Sequence, residues 1–202
     1  PLNKAKVVIV KIKNGNVEAA VRTAISLLGG DIQQFTGEVE EVLLKPNMLS
    51  APKEEEKRRK IRTDPRILAA LSKLILENNQ RVLIADNSGA GHAGGTRAVL
   101  ERSGYLEIAE KDERIRAQSL AANGPETIEI NGKKLDKANI AKDFLEAEVV
   151  INVPKMKTHG LTIYTGAIKN LFGTICGSDK TRIHSYAPTI ADFSQCLVDL
   201  YE

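Results

Sequence analysis

Tryptophan is absent, and only four phenylalanines and four tyrosines occur in 202 residues. A core built from this chain must therefore be aliphatic, filled by Val, Ile, Leu and Ala. Cysteine occurs twice, at Cys176 and Cys196, too few for a disulfide scaffold or for a cysteine-ligated cluster. Two thiols fit a reducing compartment, and a cytoplasmic location is the default expectation. No charged-then-apolar leader opens the chain, and no apolar run approaches the roughly 18 residues of a membrane span, so no membrane role is expected. Strong charge of either sign is also lacking. The formal net charge is +3, too small to argue for nucleic acid.

The distribution of charge says more than its sum. Between Asn152 and His184 lie Lys155, Lys157, Lys169, Lys180 and Arg182, against the single acid Asp179. Only Tyr164, Phe172 and Tyr186 accompany these cations. Single-strand binding needs aromatics interleaved with charge, so nucleic acid is disfavoured as a partner.

What is present is a 42% apolar fraction arranged in short aliphatic runs that alternate with helical periods. Strands are predicted at Lys6–Ile12 (KVVIVKI), Glu41–Lys45, Arg81–Ala85, Ile115–Leu120 and Glu148–Val153. Helices are predicted at Val17–Leu28, closed by Gly29-Gly30, and at Pro65–Asn78, opened by the Asp64-Pro65 cap. Further helices are expected at Thr96–Arg102, Ala138–Ala147 and Thr189–Leu200. Asn131-Gly132 is a strong hairpin signal and places an antiparallel excursion near 127–135. The dense charge run Lys53–Arg62 reads as a solvated loop or exposed helix. Strand–helix repetition with near-continuous aliphatic strands predicts an α/β fold, a mostly parallel sheet covered by helices on both faces. The expectation is one domain over residues 1–202, incomplete at its C-terminus.

In an open α/β sheet, ligands bind beyond the carboxyl ends of the strands. Three strand ends here are polar in the same way: Lys45-Pro46-Asn47, Asp86-Asn87-Ser88, and Asn152-Val153-Pro154-Lys155 running on to Lys157-Thr158-His159. If the strands are neighbours, these turns converge. Ammonium, amide and hydroxyl groups of this kind hold anions. Lys169-Asn170, bracketed by Gly166 and Gly173, adds a costly lysine in apolar company. The predicted ligand is a small carboxylate or phosphate. Lys45, Asn47, Ser88, Asn152, Lys157, Thr158, Lys169 and Asn170 would bind it. Of the catalytic candidates, His159 would carry the proton, Lys155 would neutralise the anion, and Asp86 would orient His159 or serve as a partner base.

Other chemistries are weaker. Gly89-Ala90-Gly91-His92-Ala93-Gly94 matches G-x-G-x-x-G, but the next strand lacks the ribose-binding acid that fingerprint needs, and a backbone anion cradle suits the loop better. No P-loop motif occurs. His159, His184 and Asp86 have metal-ligand chemistry without diagnostic spacing, and no metal ligand is assigned.

The motifs Lys45-Pro46-Asn47, Thr63-Asp64-Pro65, Asp86-Asn87-Ser88, Asn152–His159 and Gly166–Gly173, in this order, resemble an uncharacterised family, domain of unknown function 362. The resemblance implies an α/β fold, a site at these turns and an association with iron–sulfur proteins, since many members carry a ferredoxin-like cysteine module beyond the domain. This sequence has no such cysteines, so no iron–sulfur cluster is ligated by this chain alone, and no other cofactor is identified. A redox module or partner outside the chain is the second expectation. Whether the protein is an enzyme is not settled by its residues.

Overall fold

The computed structural model describes residues 5–89 and 95–202; the glycine-rich fingerprint beyond Gly89 lies outside them. Four parallel strands form the central sheet: β1 (Glu41–Pro46), β2 (Arg81–Asp86), β3 (Ile115–Ser119) and β6 (Val150–Val153), in the order β3-β2-β1-β6. A β4–β5 hairpin (Pro125–Glu129 with Lys137–Ala141) and a β7–β8 hairpin (Lys157–His159 with Ile163–Thr165) are antiparallel pairs outside it. The helices are α1 (Val17–Leu28), α2 (Gln33–Thr36), α3 (Glu55–Ile61), α4 (Pro65–Glu77), α5 (Gly95–Arg102), α6 (Leu106–Ala109), α7 (Lys142–Leu145), α8 (Ala167–Leu171), α9 (Asp179–Tyr186) and α10 (Ile190–Tyr201). The predicted α/β class with a parallel sheet is what forms.

Local chemistry explains the boundaries. Asn16 caps α1 by accepting from Ala19 N at 3.0 Å, and Asp64 caps α4 from Arg66 N at 3.0 Å with Pro65 in the first turn. Thr189 caps α10 from Asp192 N at 3.1 Å. The charge run folds as α3, which buries no residue and is laced with Glu–Lys and Glu–Arg pairs three and four apart.

Alternation along β1 and β2 divides the core. Val42, Leu44, Val82 and Ile84 face α4, α5 and α6, where Leu68, Leu71, Ile75, Val99 and Ile108 cover them. Leu43, Leu83 and Ala85 face the other way, against Leu120, Ala141 and Cys176. Beyond them the β4–β5 hairpin, α9 and α10 close over Phe172, Ile175, Phe193 and Leu197. Each fully buried aliphatic side chain contributes about 1.5–3 kcal/mol.

Two local expectations are corrected, and the hairpin forms where it is expected. Lys6–Ile12 forms no strand: Val7 and Ile9 are 78% and 93% exposed. This segment pairs with no described strand and lies beside α1, where Ile9 and Val10 adjoin Ala19, Ala20 and Leu27. Ala138–Ala147 is strand β5 followed by the one-turn helix α7, because its Ala138 and Ile140 alternate into the second core. The hairpin is longer than a two-residue turn, its last pair being Glu129 with Lys137. Asn131 takes the left-handed conformation (φ 54°), and Asp199 fills the loop by accepting from Lys134 N at 2.7 Å and Leu135 N at 2.9 Å.

Candidate functional site

β1, β2 and β6 are adjacent, and the chain order switches side between β1 and β6. The turns after β1 and β2 therefore meet at one end of the sheet, where such folds place ligands. A cavity of about 250 Å³ opens there. Asn47 comes from the β1 turn, Asp86 and Asn87 from β2, His159 from β7, Lys169 and Asn170 from α8, and Lys180 and His184 from α9.

Hydrogen bonds hold most of the contributors in place. Asn170 Nδ2 donates to Asn152 Oδ1 at 2.7 Å and to the carbonyls of Pro46 and Lys45 at 3.1 and 3.2 Å, while Asn152 Nδ2 donates to Ala167 O at 2.9 Å. These bonds fasten α8 to the ends of β1 and β6. Asn139 N donates to Asp179 Oδ2 at 2.8 Å, fixing the start of α9 against the hairpin. Asn87 Nδ2 donates to Gly173 O at 3.1 Å, and its Oδ1 accepts from Ala121 N at 3.0 Å. Thr63 braces the floor: its N donates to Asn47 O at 2.9 Å, and its Oγ1 accepts from Asn47 N at 2.8 Å.

A wholly buried ion pair lies beneath the cavity. Lys45 Nζ sits 2.7 Å from Asp86 Oδ1, with the side chains 0% and 3% exposed, and Met48 N donates to Asp86 Oδ2 at 2.9 Å. Asp86 is the single carboxylate among the described lining residues, and it is already engaged. Lys169 and Lys180 have no ion-pair partner among the described residues. Lys169 instead lies over the rings of Phe172 and Phe193, 5.7 and 5.8 Å from their centroids.

The charge imbalance shows in the proton affinities. Burial, then Lys180, lowers the Lys169 pKa, and burial lowers that of Lys180 against the opposing pull of Asp86. Lys157 is lowered to about 8 by burial, then by Lys169. Burial and the charges of Lys169 and Lys157 lower His159, and burial and Lys169 lower His184. Burial is the leading cause in every case, and repulsion from neighbouring cations adds to it.

Comparison with known proteins agrees with the motifs. Residues 42–202 match the family described as Domain of unknown function (DUF362). The chain belongs to this family. It is also 31% identical over 193 residues to Thylakoid-associated protein sll1697 of Synechocystis sp., an alignment covering 92% of this chain and 54% of that protein. The chain thus spans about half the length of that curated relative.

In this DUF362 chain the predicted site residues divide. Asn47, Asp86, His159, Lys169 and Asn170 line the cavity. Lys45 is sealed below it. Asn152 is a strut for α8. Ser88 lies outside the lining, its hydroxyl 3.1 Å from Thr96 Oγ1. Lys155, Lys157 and Thr158 also lie outside it; Thr158 is exposed, and Lys157 Nζ donates to Ile61 O. The alternation of β7 separates Thr158 from Lys157 and His159.

His159 Nδ1 accepts from Leu161 N and Thr162 N, both at 3.2 Å. The neutral ring must then carry its proton on Nε2. Asp86 has both oxygens occupied and makes no bond to His159. Asn87, Lys180, Thr181 and His184 were not among the sequence-predicted ligand groups. A signal for two of them existed: Lys180 and His184 are four apart, which places them on one helix face. Among the described residues, no group of three His, Cys, Asp or Glu side chains gathers at metal-binding distance. No helix of the described residues is long and apolar enough to cross a membrane.

Proposed function

We propose that this cavity binds a small anionic ligand, a carboxylate or phosphate. The carrying observation is that Lys169 and Lys180 face a space whose single carboxylate, Asp86, is already bound to Lys45 and Met48 N. In this reading Lys169 and Lys180 neutralise the ligand, and Asn47 orients it. Lys155 and Lys157 add attraction from the rim. His159 offers its Nε2–H, which suits hydrogen bonding to negative charge that develops on the ligand better than removing a proton from it. Asp86 holds Lys45 in place. A testable consequence is thermal: phosphate or citrate at a hundredfold excess over Kd should raise Tm by roughly 5–10 °C. The Lys169→Gln/Lys180→Gln double variant should lose that response. Equal responses in the two proteins, or none from any anion, would refute the proposal.

Proton linkage gives a second check. A bound anion favours the charged forms of Lys169, Lys180, Lys157 and His159, so their pKa values rise and binding takes up protons. With the Lys157 pKa at about 8, sulfate binding at pH 8 should take up protons, at most about half of one at Lys157. Calorimetry in two buffers of different ionisation enthalpy measures this number. Identical heats in both buffers would contradict the linkage.

A second reading makes the chain a cofactor-binding or electron-transfer component whose iron–sulfur module lies outside residues 1–202. It draws on the relative, which is named for thylakoid association and extends well beyond the shared region. A full-length gene product continuing into a C-x-x-C-rich segment would support it, and one without such a segment would remove its basis.

A further inference from the structure

We infer that the ligand of this cavity is an aromatic carboxylate that also carries a hydroxyl or amino donor. This rests on the anion-site reading above and narrows it by three features of the cavity that charge alone does not explain.

The first is size. A cavity of about 250 Å³ has room for more than a bare phosphate of about five heavy atoms, and admits a substituted benzoate of about ten.

The second is the wall. Phe172 and His184 both line the cavity, with ring centroids 5.4 Å apart at 74°. His184 stacks on Phe193 at 4.3 Å and 14°, which covers one face of the imidazole and fixes its plane. Phe172 and His184 thus give the cavity a wall of two rings, with Phe193 buried behind His184 and holding it in place, a surface that suits a flat ligand. Leu49 adds an apolar edge. It is 43% exposed and holds φ at +46°, with its carbonyl accepting from Gly89 N at 2.8 Å. A bulky residue in the left-handed region with its side chain in water is costly in the free protein, and contact with an apolar ligand recovers part of that cost.

The third is an acceptor with nothing to accept. Asn47 Oδ1 is buried on the cavity wall and has no hydrogen-bond partner among the described residues. Buried amide oxygens are nearly always paired. A ligand held by its carboxylate at Lys169 and Lys180 can satisfy Asn47 only by presenting an N–H or O–H of its own.

The test is calorimetric titration of this chain with benzoate, the three hydroxybenzoate isomers, their methoxy counterparts, phosphate and citrate. At least one hydroxybenzoate should bind about tenfold more tightly than benzoate. Its methoxy counterpart, which has lost the donor while the protein is untouched, should lose that advantage. Asn47→Ala should bring the hydroxybenzoate-to-benzoate ratio within about twofold of unity, whatever it does to the affinity for benzoate itself. If phosphate or citrate binds and no benzoate binds more tightly, the aromatic assignment is overturned and the anion site stands. If every hydroxybenzoate equals benzoate, the donor assignment is overturned. If no anion binds at all, the anion reading itself fails and this inference with it.

Discussion

Replacing Asp86 with alanine is expected to cost about 3–5 kcal/mol of folding stability, the largest effect of any single charge change in this chain. Asp86 and Lys45 are both essentially without solvent contact, 2.7 Å apart, at the ends of adjacent strands. Removing the carboxylate leaves a lysine ammonium enclosed by protein, with Pro46 O at 3.4 Å as its remaining hydrogen-bond partner. It also strands Met48 N, which donates to Asp86 Oδ2. The pair itself need not be strongly stabilising, because bringing two charges out of water offsets much of their attraction. The double variant Lys45→Met/Asp86→Leu should therefore recover most of the loss. Urea denaturation of the three proteins measures it. A cost below about 1 kcal/mol for Asp86→Ala would show that water reaches Lys45 and that the floor of the cavity is not sealed. The same experiment separates the role of Asp86 as counter-ion from a role as catalytic base, since the counter-ion role predicts a stability loss in the absence of any ligand.

The scaffold was legible because it follows from periodicity and caps. α1 and α4 begin at the capping residues, and the aliphatic runs of β1, β2, β3 and β6 became the parallel sheet. The convergence of the turns after Lys45 and Asp86 was legible because it needs only neighbouring parallel strands. Two things were not. Strand composition alone did not show that Lys45 points into the protein: its place in EVLLK puts it on the same face as Leu43, and the partner that makes burial tolerable is 41 residues away. Nor did the sequence show where NVPKMKTH goes after Pro154. The segment leaves the sheet as the β7–β8 hairpin, and alternation turns His159 inward while Thr158 stays exposed. Lys180 and His184 reach the cavity through a tertiary anchor, Asp179 on Asn139 N, which no local pattern encodes.

Gly173→Ala is expected to destabilise the chain by about 3 kcal/mol or more and to abolish anion binding with it. Gly173 has no need of glycine's backbone freedom, since its φ is not in the left-handed region. What it supplies is the absence of a side chain. A Cβ there would lie 2.5 Å from Asp86 Oδ1 and 2.7 Å from Lys45 Nζ. Those atoms are buried and bound to one another, so they cannot swing aside, and parting them recreates the unpaired charges discussed above. Gly173 O also accepts from Asn87 Nδ2 at 3.1 Å, so a shift of this turn disturbs the link that ties it to β2. Gly166→Ala makes an informative contrast. Its Cβ would meet Tyr164 ring atoms at 2.5 Å, but that tyrosine is 55% exposed and can rotate into water. Gly160→Ala meets nothing within 4 Å and should stay within about 0.5 kcal/mol of the parent. The predicted order of cost is Gly173, then Gly166, then Gly160, read from urea midpoints. A Gly173→Ala protein as stable as Gly160→Ala would mean that the turn can back away from the ion pair, and the rigid wall on which both the anion site and the aromatic platform depend would be lost as an explanation.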